Sequence, residues 1–309
     1  MNNINFEYKI IGNGNSTLVI ETGIGNSFYN WYPLIEEIKD CFTVIVYHRL
    51  GYGKSDFPTQ SRTTRNIASE LNILLKRIGI KDKFILLGHS FGGLCVQQYV
   101  KMYPNEIEAV VLLDSTSYNL EQLDNPDTPI INSKCSIEKM VDLCNEFSLK
   151  SKEELTNENT DSVSKYQKYM TNKEVENAIE FGSNPKFYKV ISEEFANWVQ
   201  DGEDTKSIPE FPDIPLRAIA RDKIFSAKNW VENGIPEKEA IKYEEKWREL
   251  QEELVLLSNQ GEFIIASDSD HLIHIDRPGV VVDCLKSLIL QGGLVNTSSN
   301  NAFKFALNK

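Results

Sequence analysis

The sequence predicts an α/β fold, a mostly parallel central sheet flanked by helices, and three observations carry that prediction. Short apolar runs rich in Val, Ile and Phe recur in the segments FEYKIIG, TLVIETG, FTVIVYH, KFILLGHS, EAVVLLD, PLRAIA and EFIIAS, each bounded by turn residues. Most are followed by a stretch with apolar residues at spacings of three and four, the period of a helix packed by one face. A chain of 309 residues with 41% hydrophobic content is long enough to bury the core such a sheet needs.

The helical stretches have recognisable ends. WYPLIEEIKD follows the second strand. In TTRNIASELNILLKRIG, Thr64 offers an N-cap and Gly79 a left-handed stop, and FGGLCVQQYVKMYP is closed by Pro104. The alternation breaks after EAVVLLDSTSY, where roughly a hundred residues rich in Lys, Glu, Asn and Ser pass before the next strand. This stretch, 119–210, reads as a helical cap between two parts of a core, 1–118 and 211–290. A second polar helical excursion, 228–258, separates the last two strands, and 291–309 reads as a flexible tail.

Composition narrows the function. A formal charge of -12 and a pI near 5.0, with no basic stripe, exclude a nucleic-acid partner, since phosphate binding needs clustered Lys and Arg. The five cysteines are scattered, form no CxxC pair and suit a reducing compartment. No leader pattern and no apolar run of about 18 residues occurs, so the expectation is a cytoplasmic protein without a membrane span.

The segment KFILLGHSFGGL carries the chemistry. Its serine, Ser90, stands between a strand and a helix, the setting in which Gly-x-Ser-x-Gly forms a sharp turn that raises a nucleophile. Gly88 and Gly92 flank it where strand end and helix start come too close for a Cβ. A plain Gly-rich turn would use the same residues, so the motif needs a partner. A serine hydroxyl is a weak nucleophile until a base takes its proton and a carboxylate orients that base.

Only four histidines exist. His89 abuts the serine and reads as a packed neighbour, while His48 ends an earlier strand. His271 and His274 lie in ASDSDHLIHIDRP, just after the last strand, where the order Ser, acid, His puts the base. His271 comes first in the loop and is the candidate base; His274, at a helix start, reads as structural. The HxxH spacing lacks a third ligand nearby, so no metal is expected.

These residues together resemble the α/β-hydrolase superfamily, lipase and esterase type with a helical cap inserted after the sixth strand. Four segments match in order: VIETGIGNSFYNW resembles the family's strand and His-Gly loop, YHRLGYGKSD its Asp-x-Arg-Gly-x-Gly-x-Ser turn, GHSFGG its nucleophile elbow, and SDHLIHIDRP its base loop ahead of a Pro. Thr22 stands where the family usually has His, and His48 where it usually has Asp, which implies altered loop packing without loss of activity. The resemblance implies an oxyanion hole from the backbone N–H groups of Phe91 and Ile24, leaving their side chains to shape an acyl pocket. The glycines around Ile24 lack the third Gly of a dinucleotide fingerprint.

The acid stays open between two residues. The family most often takes it from a Gly-x-x-Asp turn after the strand written here PLRAIA, but this chain continues RDKIFS, without the glycine and with Asp222 early. Asp114, at the end of EAVVLLD, occupies a position that other members use, and it is preferred. The resemblance thus implies a serine hydrolase acting on a carboxylic ester or related acyl bond of a small molecule, with no cofactor. A serine at the elbow is unlike the dehalogenase and epoxide hydrolase branches, which have Asp there. Proline iminopeptidase, lactonase and carbon–carbon bond hydrolase activities, or a ligand-binding protein on the same fold, are the alternatives. Tyr118, Phe147, Tyr166, Phe187, Phe195 and Trp198 could line a pocket, though aromatics at helical spacing are more often cap core than substrate contacts.

Overall fold

The computed structural model describes residues 4–124, 127–159, 167–208 and 210–291. Seven strands form one sheet: β1 Tyr8–Ile11, β2 Ser16–Glu21, β3 Phe42–Tyr47, β4 Phe84–His89, β5 Ile107–Leu113, β6 Leu216–Arg221 and β7 Gly261–Ala266. Their order is β1-β3-β2-β4-β5-β6-β7, with β1 antiparallel to β3 and all other pairings parallel. The chain enters through this antiparallel edge strand, and five strands then precede the long insertion. Counted along the described chain, the helical insertion therefore follows the fifth strand and not the sixth.

The helices are α1 Tyr32–Ile38, α2 Thr64–Arg77, α3 Phe91–Met102, α4 Pro129–Cys135, α5 Ile137–Phe147, α6 Lys152–Asn159, α7 Asn172–Phe181, α8 Pro185–Ser207, α9 Lys223–Glu232, α10 Glu237–Leu254, α11 Ile273–Asp276 and α12 Pro278–Gln291. Alternation along each buried strand sends side chains to two cores. Leu18, Ile20, Ile85 and Leu87 join residues of α1 and α12 on one face, while Val19, Leu86, Leu71 and Val96 pack with α2 and α3 on the other. The cap of α2 is Thr63, whose side chain accepts from the Asn66 N–H, one residue before the expected Thr64; Gly79 takes the left-handed conformation at φ 84°.

The insertion between β5 and β6 comprises α4 to α8, and its own apolar cluster gathers Cys144, Phe181, Phe187, Val190, Ile191 and Phe195 around Tyr52 of the core. The expected excursion before β7 is the pair α9 and α10. Tyr166 and the expected tail from 292 onward lie outside the described residues.

Candidate active site

The parallel strands β4, β5 and β6 point their C-terminal ends the same way; Ser90 follows β4, Asp114 follows β5, and Arg221 ends β6. Ser90 follows β4 directly, with φ 54° and ψ -128°, a backbone region that non-glycine residues rarely occupy. The strain is held from both sides: Ser90 N donates to Leu113 O of β5, and Ser90 O accepts from the N–H groups of Gly93 and Thr116. A Cβ on Gly88 would meet Gly92 O at 2.6 Å, and one on Gly92 would meet Glu21 O and Thr22 O at 2.4 Å. Both positions require glycine because backbone passes against backbone.

Asp114, the residue after β5, is likewise at positive φ, 41°, and fully buried. Its Oδ2 lies 2.6 Å from His271 Nδ1, across 157 residues of sequence. Oδ2 also accepts from Arg221 Nη1 at 2.7 Å, while Oδ1 accepts from Trp247 Nε1 at 2.9 Å and from the Arg221 backbone N–H at 3.2 Å. Burial alone would raise this carboxyl. The Arg221 guanidinium, and next the His271 hydrogen bond, outweigh burial and hold it well below the usual carboxylate range.

Asp222 goes elsewhere. It caps α9, accepting from Ile224 N–H and Phe225 N–H at 2.9 and 3.3 Å, and its other oxygen accepts from Asp268 N–H. A helix N-terminus is a stable home for a carboxylate, and these three N–H groups occupy both of its oxygens. Of the two candidate acids, the fold brings Asp114 and not Asp222 to His271.

His271 is part-exposed, its ring 4.7 Å from that of His89. His89 fixes the base loop through its Nε2, 2.8 Å from His271 O. Burial, and then repulsion from His271, push His89 down to about 3, so its imidazole is neutral and that nitrogen donates. His274 is buried and stacked 4.0 Å over Trp31, with its protonation suppressed by burial. Among the described residues the Ser90 hydroxyl makes no hydrogen bond; its backbone N–H donates to Leu113 O. Among the same residues, no group of three or more His, Cys, Asp or Glu side chains is placed to hold a metal ion.

Opposite this pair lies the loop after β2. The backbone N–H groups of Ile24 and Phe91 donate to no acceptor among the described residues. The loop is braced from beneath by Arg49, which donates to Thr22 O and Gly23 O at 2.7 and 3.1 Å and pairs with Glu21 at 2.7 Å and Glu194 of α8 at 3.2 Å. Tyr52 completes the brace, its hydroxyl accepting from Gly25 N–H and donating to Glu194. The two unusual residues of this region serve packing. Thr22 Oγ1 donates to Asn26 O at 3.2 Å, and buried His48 bridges Glu7 at 2.8 Å to Ser27 and the Phe28 N–H.

A cavity of about 500 Å³ opens between Ile24 and the insertion, walled by Met140, Leu143, Cys144, Phe147, Ile191 and Phe195, with Tyr188 and Glu158 beside them. Ile24 thus meets its expected place at a pocket wall. Phe91 does not: its ring is buried among Ile67 and Cys95. Of the six candidate aromatics, Phe147 and Phe195 line the cavity, while Phe187 belongs to the insertion core and Tyr118 packs under the sheet.

A family model described as alpha/beta hydrolase fold matches residues 16–173, just over half of the chain. The chain belongs to the alpha/beta hydrolase fold family. Within that family it is 26% identical over 270 residues to the uncharacterized protein YqjL of Bacillus subtilis, covering 87% of this chain and 82% of that one. It is 30% identical over 120 residues to the cis-3-alkyl-4-alkyloxetan-2-one decarboxylase of Shewanella oneidensis, a match spanning 38% of this chain and 36% of that enzyme. A thermophilic esterase from Thermogutta terrifontis shares the fold of this alpha/beta hydrolase protein with a TM-score of 0.63 at 18% identity, over 93% of this chain and 94% of that one.

Sequence reasoning missed Arg221, Trp247 and Glu244 around the acid, and Arg49 and Glu194 beneath the loop. One local signal existed: Arg221 ends a strand whose six residues are all buried, an unlikely place for an unpaired charge. Nothing local named its partners. No helix among the described residues is long and apolar enough to cross a membrane.

Proposed function

We propose that this alpha/beta hydrolase fold protein is a serine hydrolase that cleaves a carboxylic ester, or a closely related acyl bond, of a small molecule through an acyl-enzyme. The observation that carries this reading is the buried, ionised Asp114 at 2.6 Å from His271 Nδ1, with His271 held by His89, the residue before a serine in a strained elbow. Membership of the family supports the hydrolase class.

In this scheme Ser90 Oγ attacks the carbonyl carbon while His271 Nε2 takes the hydroxyl proton. Asp114 accepts from Nδ1–H, fixing the tautomer and stabilising the imidazolium. The oxyanion receives the N–H groups of Ile24 and Phe91. Collapse expels the alkoxide, which leaves as the alcohol with the proton from His271. Water then gives its proton to His271 and attacks the ester carbonyl, releasing the acid and restoring Ser90.

The helices between β5 and β6 act as the cap, and the apolar cavity beneath them takes a small or medium apolar acyl group against Ile24. A fluorophosphonate probe should label the folded protein and not Ser90→Ala; equal labelling of both would sink the reading. With p-nitrophenyl esters, activity that rises steadily with acyl length beyond about eight carbons would count against this small apolar pocket.

A further inference from the structure

We infer that Arg221 and Glu244 are positioning residues of the acid–base pair, acting together to set the charge that Asp114 presents to His271. This rests on the hydrolytic reading above for its catalytic consequence, though its geometry stands alone.

Arg221 is the last residue of β6, at the strand end where the family most often supplies its acid. Here that strand supplies the acid's partner instead. The guanidinium donates through Nη1 to Asp114 at 2.7 Å and through Nε and Nη2 to both oxygens of Glu244, at 2.9 and 2.8 Å. Its face lies 4.4 Å over Trp247, the same residue whose indole N–H binds Asp114. Glu244 is fixed in turn by Trp230 Nε1 at 2.8 Å. Both side chains are buried, so neither can turn to water without breaking this set.

Two physical demands explain why both are present. A carboxylate buried with no opposite charge takes up a proton, and a protonated Asp114 would no longer favour an imidazolium; Arg221 prevents this. A lone guanidinium beside the acid would cancel the negative charge that the imidazolium needs. Glu244 restores it, since two carboxylates around one guanidinium leave one negative charge facing His271. An apolar plug could fill the same volume, but it could not meet either demand.

The remaining ionisable groups around the pair do not replace this function. His89 from β4 and His274 from α11 are kept neutral by burial. Tyr243 of α10 is kept un-ionised by burial, and Asp270, in the base loop, is turned to Ser226 and Asn229. Asp222 is committed to its helix cap, and Arg248 donates to Arg221 O.

The test compares wild type with Arg221→Gln, Arg221→Lys and Glu244→Gln in the full chain. Ester kcat, KM and the rate–pH profile are followed together with the low-field proton resonance of the His271 Nδ1–H bond to Asp114. Arg221→Gln should lower kcat by about a hundredfold or more with KM little changed, and Arg221→Lys should recover part of it. The acid limb of the profile should move in opposite directions, upward in Arg221→Gln and downward in Glu244→Gln, by about one pH unit each. The low-field resonance should weaken in Arg221→Gln. A folded Arg221→Gln with kcat, acid limb and resonance like wild type overturns the inference; if that variant does not fold, an unmoved limb and resonance in Glu244→Gln overturns it equally. Wild type that shows the resonance yet neither labels with the fluorophosphonate nor turns over any ester refutes the hydrolytic reading alone, and the resonance series still decides the roles of Arg221 and Glu244.

Discussion

Two buried arginines frame the site, and they are built alike for different ends. Arg49 and Arg221 each lie between two carboxylates, and each rests on an aromatic ring, Tyr52 at 4.6 Å and Trp247 at 4.4 Å. Arg49 spends its remaining donors on backbone carbonyls of the loop that presents Ile24, and one of its carboxylates, Glu194, comes from the insertion. Arg221 gives one donor to Asp114 and two to Glu244, and both of these carboxylates come from outside the insertion. The lesson is that one guanidinium braces the loop after β2 and ties it to the insertion, while the other pairs with the carboxylate that meets His271.

The most forceful way to break that comparison is to remove the charge on the acid side. Asp114→Asn should lower ester kcat by about 10⁴ while leaving the melting transition cooperative, because the amide cannot hold the required tautomer. Asp222→Ala serves as its contrast: kcat should stay within about threefold of wild type, and the loss should be ~1 kcal/mol of stability from the missing cap. Steady-state kinetics and urea unfolding on the same preparations distinguish the two; equal kinetic damage from both would remove Asp114 from its role.

On the oxyanion side the effect should be mainly structural. Glu194→Gln leaves Arg49 with one buried carboxylate fewer and should cost about 3 kcal/mol or more in urea unfolding, with a smaller fall in turnover than Asp114→Asn. A variant as stable as wild type would mean that the insertion is not coupled to the loop through this pair.

The smallest expected effect sharpens the comparison by showing a buried carboxylate without an arginine. Asp201, also on α8, has one oxygen with no hydrogen-bond partner among the described residues, and burial pushes its carboxyl up to about 7. Its folded value is raised above an unfolded value of about 3.9, so its contribution is fully present below that pH and is lost as pH rises through about 7. Asp201→Asn should therefore raise stability at pH 8 by ~2 kcal/mol and change little at pH 4. Thermal unfolding at the two pH values decides it; a gap larger at pH 4 would reverse the sign.

Much of this molecule is legible without its fold. The short apolar runs identify the strands because burial on both faces of a parallel sheet demands continuous apolar residues, and six of the seven enter through parallel pairing. Ser90 and His271 are legible because an elbow and a loop after the last strand are local patterns, each written within a dozen residues. The glycines at 88 and 92 are legible for the same reason.

What the sequence could not decide is which charges meet. Asp114 and Asp222 are both an Asp at a strand end, and the difference between a histidine's partner and a helix cap depends on a contact 157 residues away in the chain. Arg221 reaches Asp114 across 107 residues and Arg49 reaches Glu194 across 145. Such pairings have no spacing rule, because side-chain chemistry fixes what a buried charge requires and only the packing of sheet, insertion and loops fixes which partner supplies it.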